Sequence, residues 1–271
     1  MVLSLVSGRV RGRVRTLEGP RSVERFAGGA LVAHPSEGAV TLLEGGPVRV
    51  RRVLRGFGEP RYTGVHGRRA YVTDSGRGEL AVVDLERGRV VRRVAVGEDA
   101  RHLSLAPGGR VAWVSLGSSA AAIAVVDLHA LQVVRAVRPP FLAHDVGFSP
   151  DGRRVWVTAG RERRMAVYGP DGSRLRLLDA DEAPQHVSFA RGLAFVTSGD
   201  GGTLQVRGVL DGAVRRVTSV PRGSYNVQAF GGRVLTPSLM HGTLVACDLA
   251  GRVRFERRVA AAAHDACVVG S

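Results

Sequence analysis

AHDVGFSPDGRRVWVTAG, the stretch from Ala143 to Gly160, reads as one β-hairpin. A short apolar strand with Val146 and Phe148 meets the turn Ser149-Pro150-Asp151-Gly152 and returns as Val155-Trp156-Val157-Thr158. Proline fixes one φ of the reversal and glycine supplies a permissive one. The strict alternation of β-branched and aromatic residues in the returning arm favours strand over helix.

The hairpin recurs along the chain. Aligned on the dipeptide that opens each first strand, the repeats start at Arg21-Ser22, Arg61-Tyr62, Arg101-His102, His144-Asp145, Gln185-His186, Tyr225-Asn226 and His264-Asp265. Their second members are spaced by 39 to 43 residues. A period of about 40 with only strand signals is that of a four-stranded propeller blade. In the second repeat the strands read as Tyr62–Val65, Ala70–Thr73, Leu80–Asp84 and Val90–Val96. In the third they read as Leu103–Leu105, Val111–Ser115, Ile123–Asp127 and Val133–Val137. No segment carries an amphipathic helical period.

The seventh repeat has one strand, Ala266 to Ser271, and the orphan strands Val2–Val6 and Arg9–Arg15 lie at the other end of the chain. Joining them removes the free sheet edges of an open array. The reading is therefore an all-β, seven-bladed β-propeller, one domain over residues 1–271, closed by its N- and C-terminal strands. The closing repeat, only 29 residues long, carries three strands rather than four.

Tyr71-Val72-Thr73-Asp74, Trp156-Val157-Thr158-Ala159 and Phe195-Val196-Thr197-Ser198 look like a Tyr-Val-Thr-Asn repeat. With Ser149-Pro150-Asp151-Gly152 and Val125-Val126-Asp127-Leu128 they resemble the YVTN-type bacterial β-propellers, over nearly the whole chain from Ser22. The chain departs from that family by lacking the signature Asn in every blade. The resemblance implies the fold; for function it implies a range that runs from scaffolds to lactonase-like enzymes and metal-dependent lyases.

Composition narrows the remaining classes. The 271 residues are 44% hydrophobic, enough for a sizeable core, and 36 glycines suit many tight turns. The formal charge is +15 and all 39 basic residues are arginine. Cys247 and Cys267 fall in different repeats and read as free thiols. Neither a secretory signal nor an apolar run of membrane-spanning length is visible, so a cytoplasmic protein with no membrane partner is expected. The outer-strand arginines (Arg49-Arg51-Arg52, Arg92-Arg93, Arg215-Arg216, Arg254-Arg257-Arg258) are spread around the rim and accompanied by only 5% aromatics. That is a poor nucleic-acid groove, and charge there discourages edge-to-edge association; a monomer is expected.

In a propeller the first strand of each blade lines the central channel, so the seven opening dipeptides converge at one mouth. His34, Asp74, the Arg161–Arg164 loop, Asp200 and His241 fall on loops of the same face. Three consecutive blades present Arg21, Arg61 and Arg101, with Ser22, Tyr62 and His102 beside them; the opposite arc presents His144-Asp145, Gln185-His186, Tyr225-Asn226 and His264-Asp265. Guanidinium forks match carboxylate or phosphate oxygens. Histidine, aspartate and tyrosine serve acid–base chemistry or metals, and a histidine here can also simply bond to the next blade. Asp84, Asp127, Asp171, Asp211 and Asp248 precede turns where aspartate accepts backbone N–H groups and are read as structural. No CxxC, HExxH, P-loop or GxSxG motif is present.

The leading expectation is a non-catalytic binding or scaffold propeller with a polar, partly anion-selective pocket. Arg21, Arg61, Tyr62, Arg101, His102, Gln185, His186, Tyr225 and Asn226 would bind a small anionic ligand or a protein partner. The alternative is a metal-dependent lyase or lactone hydrolase holding a divalent metal with His144, Asp145, His264 and Asp265.

Overall fold

A computed structural model describes residues 1–117, 121–180 and 182–269. A two-stranded sheet pairs β1 (Val2–Leu3) with β2 (Val10–Gly12). Six four-stranded sheets follow, each an antiparallel meander in chain order. The first is β3 (Ser22–Phe26), β4 (Gly29–His34), β5 (Ala39–Glu44) and β6 (Arg49–Arg55); the second is β7 (Pro60–His66), β8 (Arg69–Asp74), β9 (Glu79–Asp84) and β10 (Arg89–Ala95). The third is β11 (Ala100–Leu105), β12 (Val111–Leu116), β13 (Ile123–Asp127) and β14 (Gln132–Val137); the fourth is β15 (Val146–Phe148), β16 (Val155–Thr158), β17 (Arg164–Tyr168) and β18 (Arg174–Asp179). The fifth is β19 (His186–Ala190), β20 (Leu193–Ser198), β21 (Thr203–Gly208) and β22 (Val214–Ser219); the sixth is β23 (Gln228–Phe230), β24 (Arg233–Pro237), β25 (Thr243–Asp248) and β26 (Val253–Arg258). The one helical element among the described residues is a 3-10 turn at Pro35–Glu37.

The Ala143–Gly160 hairpin forms as its residues dictate. Val146 faces Val157 and Phe148 faces Val155 in register. Gly152 takes φ +68°, its N–H reaches the Ser149 carbonyl at 2.8 Å, and the Ser149 hydroxyl donates to Asp151 Oδ1 at 2.6 Å. The aspartates of the later turns accept backbone N–H groups, for example Asp127 from His129 and Ala130 at 2.8 Å each. Those bonds hold the Asp127 carboxyl below its usual range. In all six sheets the third and fourth strands are offset by a bulge, which bends and twists the arginine-rich outer strand.

The packing divides the chain into two compact units. One holds Gly12–Ala143, hence the first three four-stranded sheets; the other holds Leu3–Arg11 and His144–Val268, hence the last three. In the first unit the core fills the spaces between consecutive sheets, with Leu31, Leu42, Val72 and Val83 in one layer and Leu80, Val82, Val114 and Val126 in the next. In the second unit Trp156, Met165, Val187 and Val196 join the fourth and fifth sheets, and Phe195, Leu204, Val234 and Val245 the fifth and sixth. Trp113 and Trp156 are wholly buried, one in each unit.

The closing blade differs from its expectation. In place of seven blades there are six four-stranded sheets and one two-stranded sheet, with no three-stranded closing blade among the described residues. No strand follows β26 there, so Ala266–Val269 does not pair with Val2–Val6; Gly270 and Ser271 lie outside the described residues. The N–H groups of Val259 and Ala260 go to the Gly242 carbonyl and that of Ala263 to Ser238, so this segment bonds a loop of its own sheet. The apolar contact is present all the same: Leu3, Leu5, Ala266 and Val268 pack with Leu235, Leu244 and Ala246 of the sixth sheet.

Candidate functional site

Six of the seven opening dipeptides lie at or beside the start of a first strand, and a hydroxyl on the neighbouring second strand holds four of them. Tyr62 N–H donates to Thr73 Oγ1 at 3.0 Å, and that hydroxyl donates to the Arg101 carbonyl of the next sheet at 2.5 Å. Asp145 N–H donates to Thr158 Oγ1 at 3.0 Å, and Thr158 donates to the Gln185 carbonyl at 2.5 Å. Thr197 donates in the same way to the Tyr225 carbonyl at 2.5 Å. The threonine of the YVT-like triplet is thus the bridge between one blade and the opening of the next.

In the first unit Arg21, Arg61 and Arg101 are partly buried, and the Nε of each is buried without a hydrogen-bond partner. Arg61 also pairs through Nη2 with Glu59 at 2.6 Å. Beside them Ser22 and Thr63 share a hydroxyl–hydroxyl bond of 3.2 Å, and the buried rings of Tyr62 and His102 lie 3.8 Å apart at 39°. A buried N–H without an acceptor costs free energy that a bound acceptor returns. The rim groups here are structural. Asp74 is fully buried, receives the N–H groups of Gly58 and Glu59 and lies 3.5 Å from Arg93 Nη1. His34 is fully buried between the Glu18 carbonyl and Thr41, and burial pushes its pKa down.

In the second unit the Asp145 carboxylate accepts Val187 N–H at 3.0 Å and lies 3.3 Å from His186 Nδ1, so it clamps the fifth sheet to the fourth. The His144 ring meets the His186 ring edge-on at 5.3 Å. Gln185 is buried and spent on backbone, its Oε1 accepting Gly199 N–H at 2.6 Å and its Nε2 donating to the Gly160 carbonyl at 3.3 Å. Asn226 is buried, with its carbonyl accepting from Thr236 at 2.7 Å. Asp265 Oδ1 accepts Ala266 N–H at 2.7 Å. Among the described residues no three of His144, Asp145, His264 and Asp265 bring one donor atom each within 4.8 Å of one another.

Glycine permits the close packing of this arc. A Cβ on Gly160, which has φ +75°, would meet His144 Cβ at 2.6 Å, and one on Gly199 would meet the Tyr225 ring at 2.3 Å. The Tyr225 hydroxyl donates to Asp200 Oδ1 at 2.8 Å, and burial together with that bond raises its pKa. Gly199→Ala is expected to displace Tyr225 and cost about 1–3 kcal/mol as overpacking does. Ultraviolet titration should then show the phenol returning toward its ordinary range; an unmoved titration would contradict this contact.

No family model and no curated protein matches this chain. Among solved structures, one of the Kuenenia stuttgartiensis hydrazine synthase superposes with a TM-score of 0.71 at 16% identity, over 89% of this chain and 80% of that one. The fold is an all-β propeller. At that identity the likeness concerns the fold alone.

The sequence located the polar openings of this propeller but not three of their features. The bridging role of Thr73, Thr158 and Thr197 was legible only as a recurring Thr at the end of each second strand. The glycines at 160 and 199 follow those threonines by two positions, a spacing that could have marked them. Glu24, on the first strand of the first sheet, gave no signal beyond being a lone acid there; burial raises its pKa from 4.5 to about 7.

Proposed function

We propose that this propeller is a non-catalytic binding module that takes a small anion at Arg21, Arg61 and Arg101. The observation that carries the reading is the buried, unpartnered Nε at the same position of three consecutive blades. Like charges held at equivalent places are relieved by an anion, and each Nε gains the acceptor it lacks. Tyr62 and His102 form an aromatic wall next to these arginines. In this reading the two-stranded N-terminal sheet and the Ala266–Val268 segment packed against it are a reduced seventh blade.

Phosphate, citrate or a sugar acid should raise the melting temperature saturably, because a ligand of the native state alone adds RT ln(1 + [L]/Kd). Changing Arg21, Arg61 and Arg101 together to Gln should abolish that rise. A rise that persists in the triple variant would place the anion elsewhere and overturn the reading.

The competing reading is a metal-dependent lyase or lactone hydrolase on the second unit's arc, and the contact of His144 with the Asp145–His186 pair favours it. Metal analysis separates the two. Stoichiometric divalent metal that disappears in a His144→Ala/His264→Ala variant, together with lactone hydrolysis, would replace the binding reading with this one.

A further inference from the structure

The first unit contains a second cationic feature, at the other end of the strands from the opening arginines. Arg61 stands near the start of β7 and His66 at its end, roughly 16 Å along an extended strand. There a cavity of about 690 Å³ opens between the second and third sheets, with Tyr71 and Leu128 as buried apolar lining and Arg69 and Arg110 at its walls. It adjoins a second cavity of about 520 Å³ that shares Arg69 and His129 and reaches Val91, Arg92 and Leu131.

The interface between the first and second sheets is bridged at this level. Arg51 donates to the carbonyls of Leu85 and Glu86 at 3.1 and 2.6 Å, and Arg52 to that of Arg87 at 2.9 Å. By register, Val91 and Arg92 of β10 occupy the places of Arg51 and Arg52. Valine cannot make those bonds, and the Arg92 side chain makes no hydrogen bond or ion pair among the described residues. The turn they would have met differs too. Its left-handed position is glycine in the second, fifth and sixth sheets (Gly88, Gly212 and Gly251), and a side chain of the preceding sheet rests on each: Arg52, Leu178 and Val206. In the third sheet the position is Leu131, at φ +55°. A left-handed leucine is strained, and such strain persists where the surroundings enforce it, often at binding sites. The strained residue is a wall of the open groove.

The charges of the groove are available. Among the described residues Arg69, Arg92 and Arg110 form no ion pair, whereas Arg68 pairs with Glu86 at 3.0 Å. Asp127 lies close enough to Arg110 to feel its charge, but its Oδ1 is held by the N–H groups of His129 and Ala130. A cavity of this size is in the range of small-ligand sites, which combine apolar walls with a few placed polar groups. Three unpaired guanidiniums above an apolar floor suit a dianionic headgroup on an apolar body.

We propose that this groove between the second and third sheets binds an organic phosphate monoester with an apolar ester group. The site is separate from the opening arginines and does not depend on their role. Calorimetric titration of the full chain with phenyl phosphate, inorganic phosphate and phenol tests it. Phenyl phosphate should bind one to one, at least about tenfold tighter than inorganic phosphate because the ring buries apolar surface, and tighter than phenol by a similar factor. Arg69→Gln/Arg110→Gln, both exposed positions, should weaken phenyl phosphate about tenfold or more without moving the melting temperature. The Arg21/Arg61/Arg101→Gln variant should bind it unchanged. Equal affinity for phenyl and inorganic phosphate, equal affinity for phenol, or loss in the triple variant with retention in the double would each overturn the proposal.

Discussion

Thr158→Val should lower the unfolding free energy by about 2–5 kcal/mol, far more than an isosteric change in a strand ordinarily costs. Thr158 Oγ1 accepts from Asp145 N–H and donates to the Gln185 carbonyl of the following sheet. The residue is fully buried, so valine leaves both backbone groups without a partner in a place water does not reach. Each such orphan costs about 1–3 kcal/mol. The loss falls on the joint between two blades, beside the Asp145–Val187 clamp, so those two bonds should fail together and the costs should not simply add. Urea unfolding of Thr158→Val, alone and combined with Asp145→Asn, measures both the penalty and the coupling. A penalty near zero would mean that apolar packing between the sheets, not the hydroxyl bridge, joins the blades.

Glu24→Gln should stabilise the protein by about 2–3 kcal/mol at pH 8 and by almost nothing at pH 4. Glu24 sits on β3, and burial raises its pKa from 4.5 to about 7 against the opposing N–H bond from Arg25. Between those values the unfolded chain has released its proton while the folded chain still holds it. Stability is therefore full below about 4.5 and is lost as the pH rises through 7. At about 1.4 kcal/mol per unit the loss approaches 3 kcal/mol, reduced because the residue is only partly shielded from solvent. Glutamine cannot ionise, so the difference between the two proteins, measured by urea unfolding across pH, isolates this group. A constant difference would show that Glu24 titrates over the same pH range in the folded and the unfolded chain, and so that burial does not raise its pKa.

The blade was legible because its signal is local. A Pro-Asp-Gly reversal, a period-two strand and an aspartate before a turn each act within a few residues, and the observed strands of the second and third sheets follow the expected ones closely. Closure was less legible because it depends on which backbone acceptors the C-terminal segment finds. Val259, Ala260 and Ala263 find the 238–242 loop, and nothing in the run of alanines there announces it. At the site, the sequence showed which polar residues share a register. It did not show that Asp145 spends its carboxylate on the neighbouring blade, and Gln185 its amide on its own and the preceding blade, while the arginine Nε atoms remain unmatched. That division is set by distances of a few tenths of an ångström across blades, which spacing in sequence does not encode.

The central claim is that the opening arginines, and not the outer ones, hold an anion. A crystal structure grown with citrate tests it most directly. The account predicts a citrate carboxylate accepting from the Nε of at least two of Arg21, Arg61 and Arg101. Citrate seated only on outer-strand arginines such as Arg215 and Arg216, with all three Nε atoms still unpartnered, would contradict it.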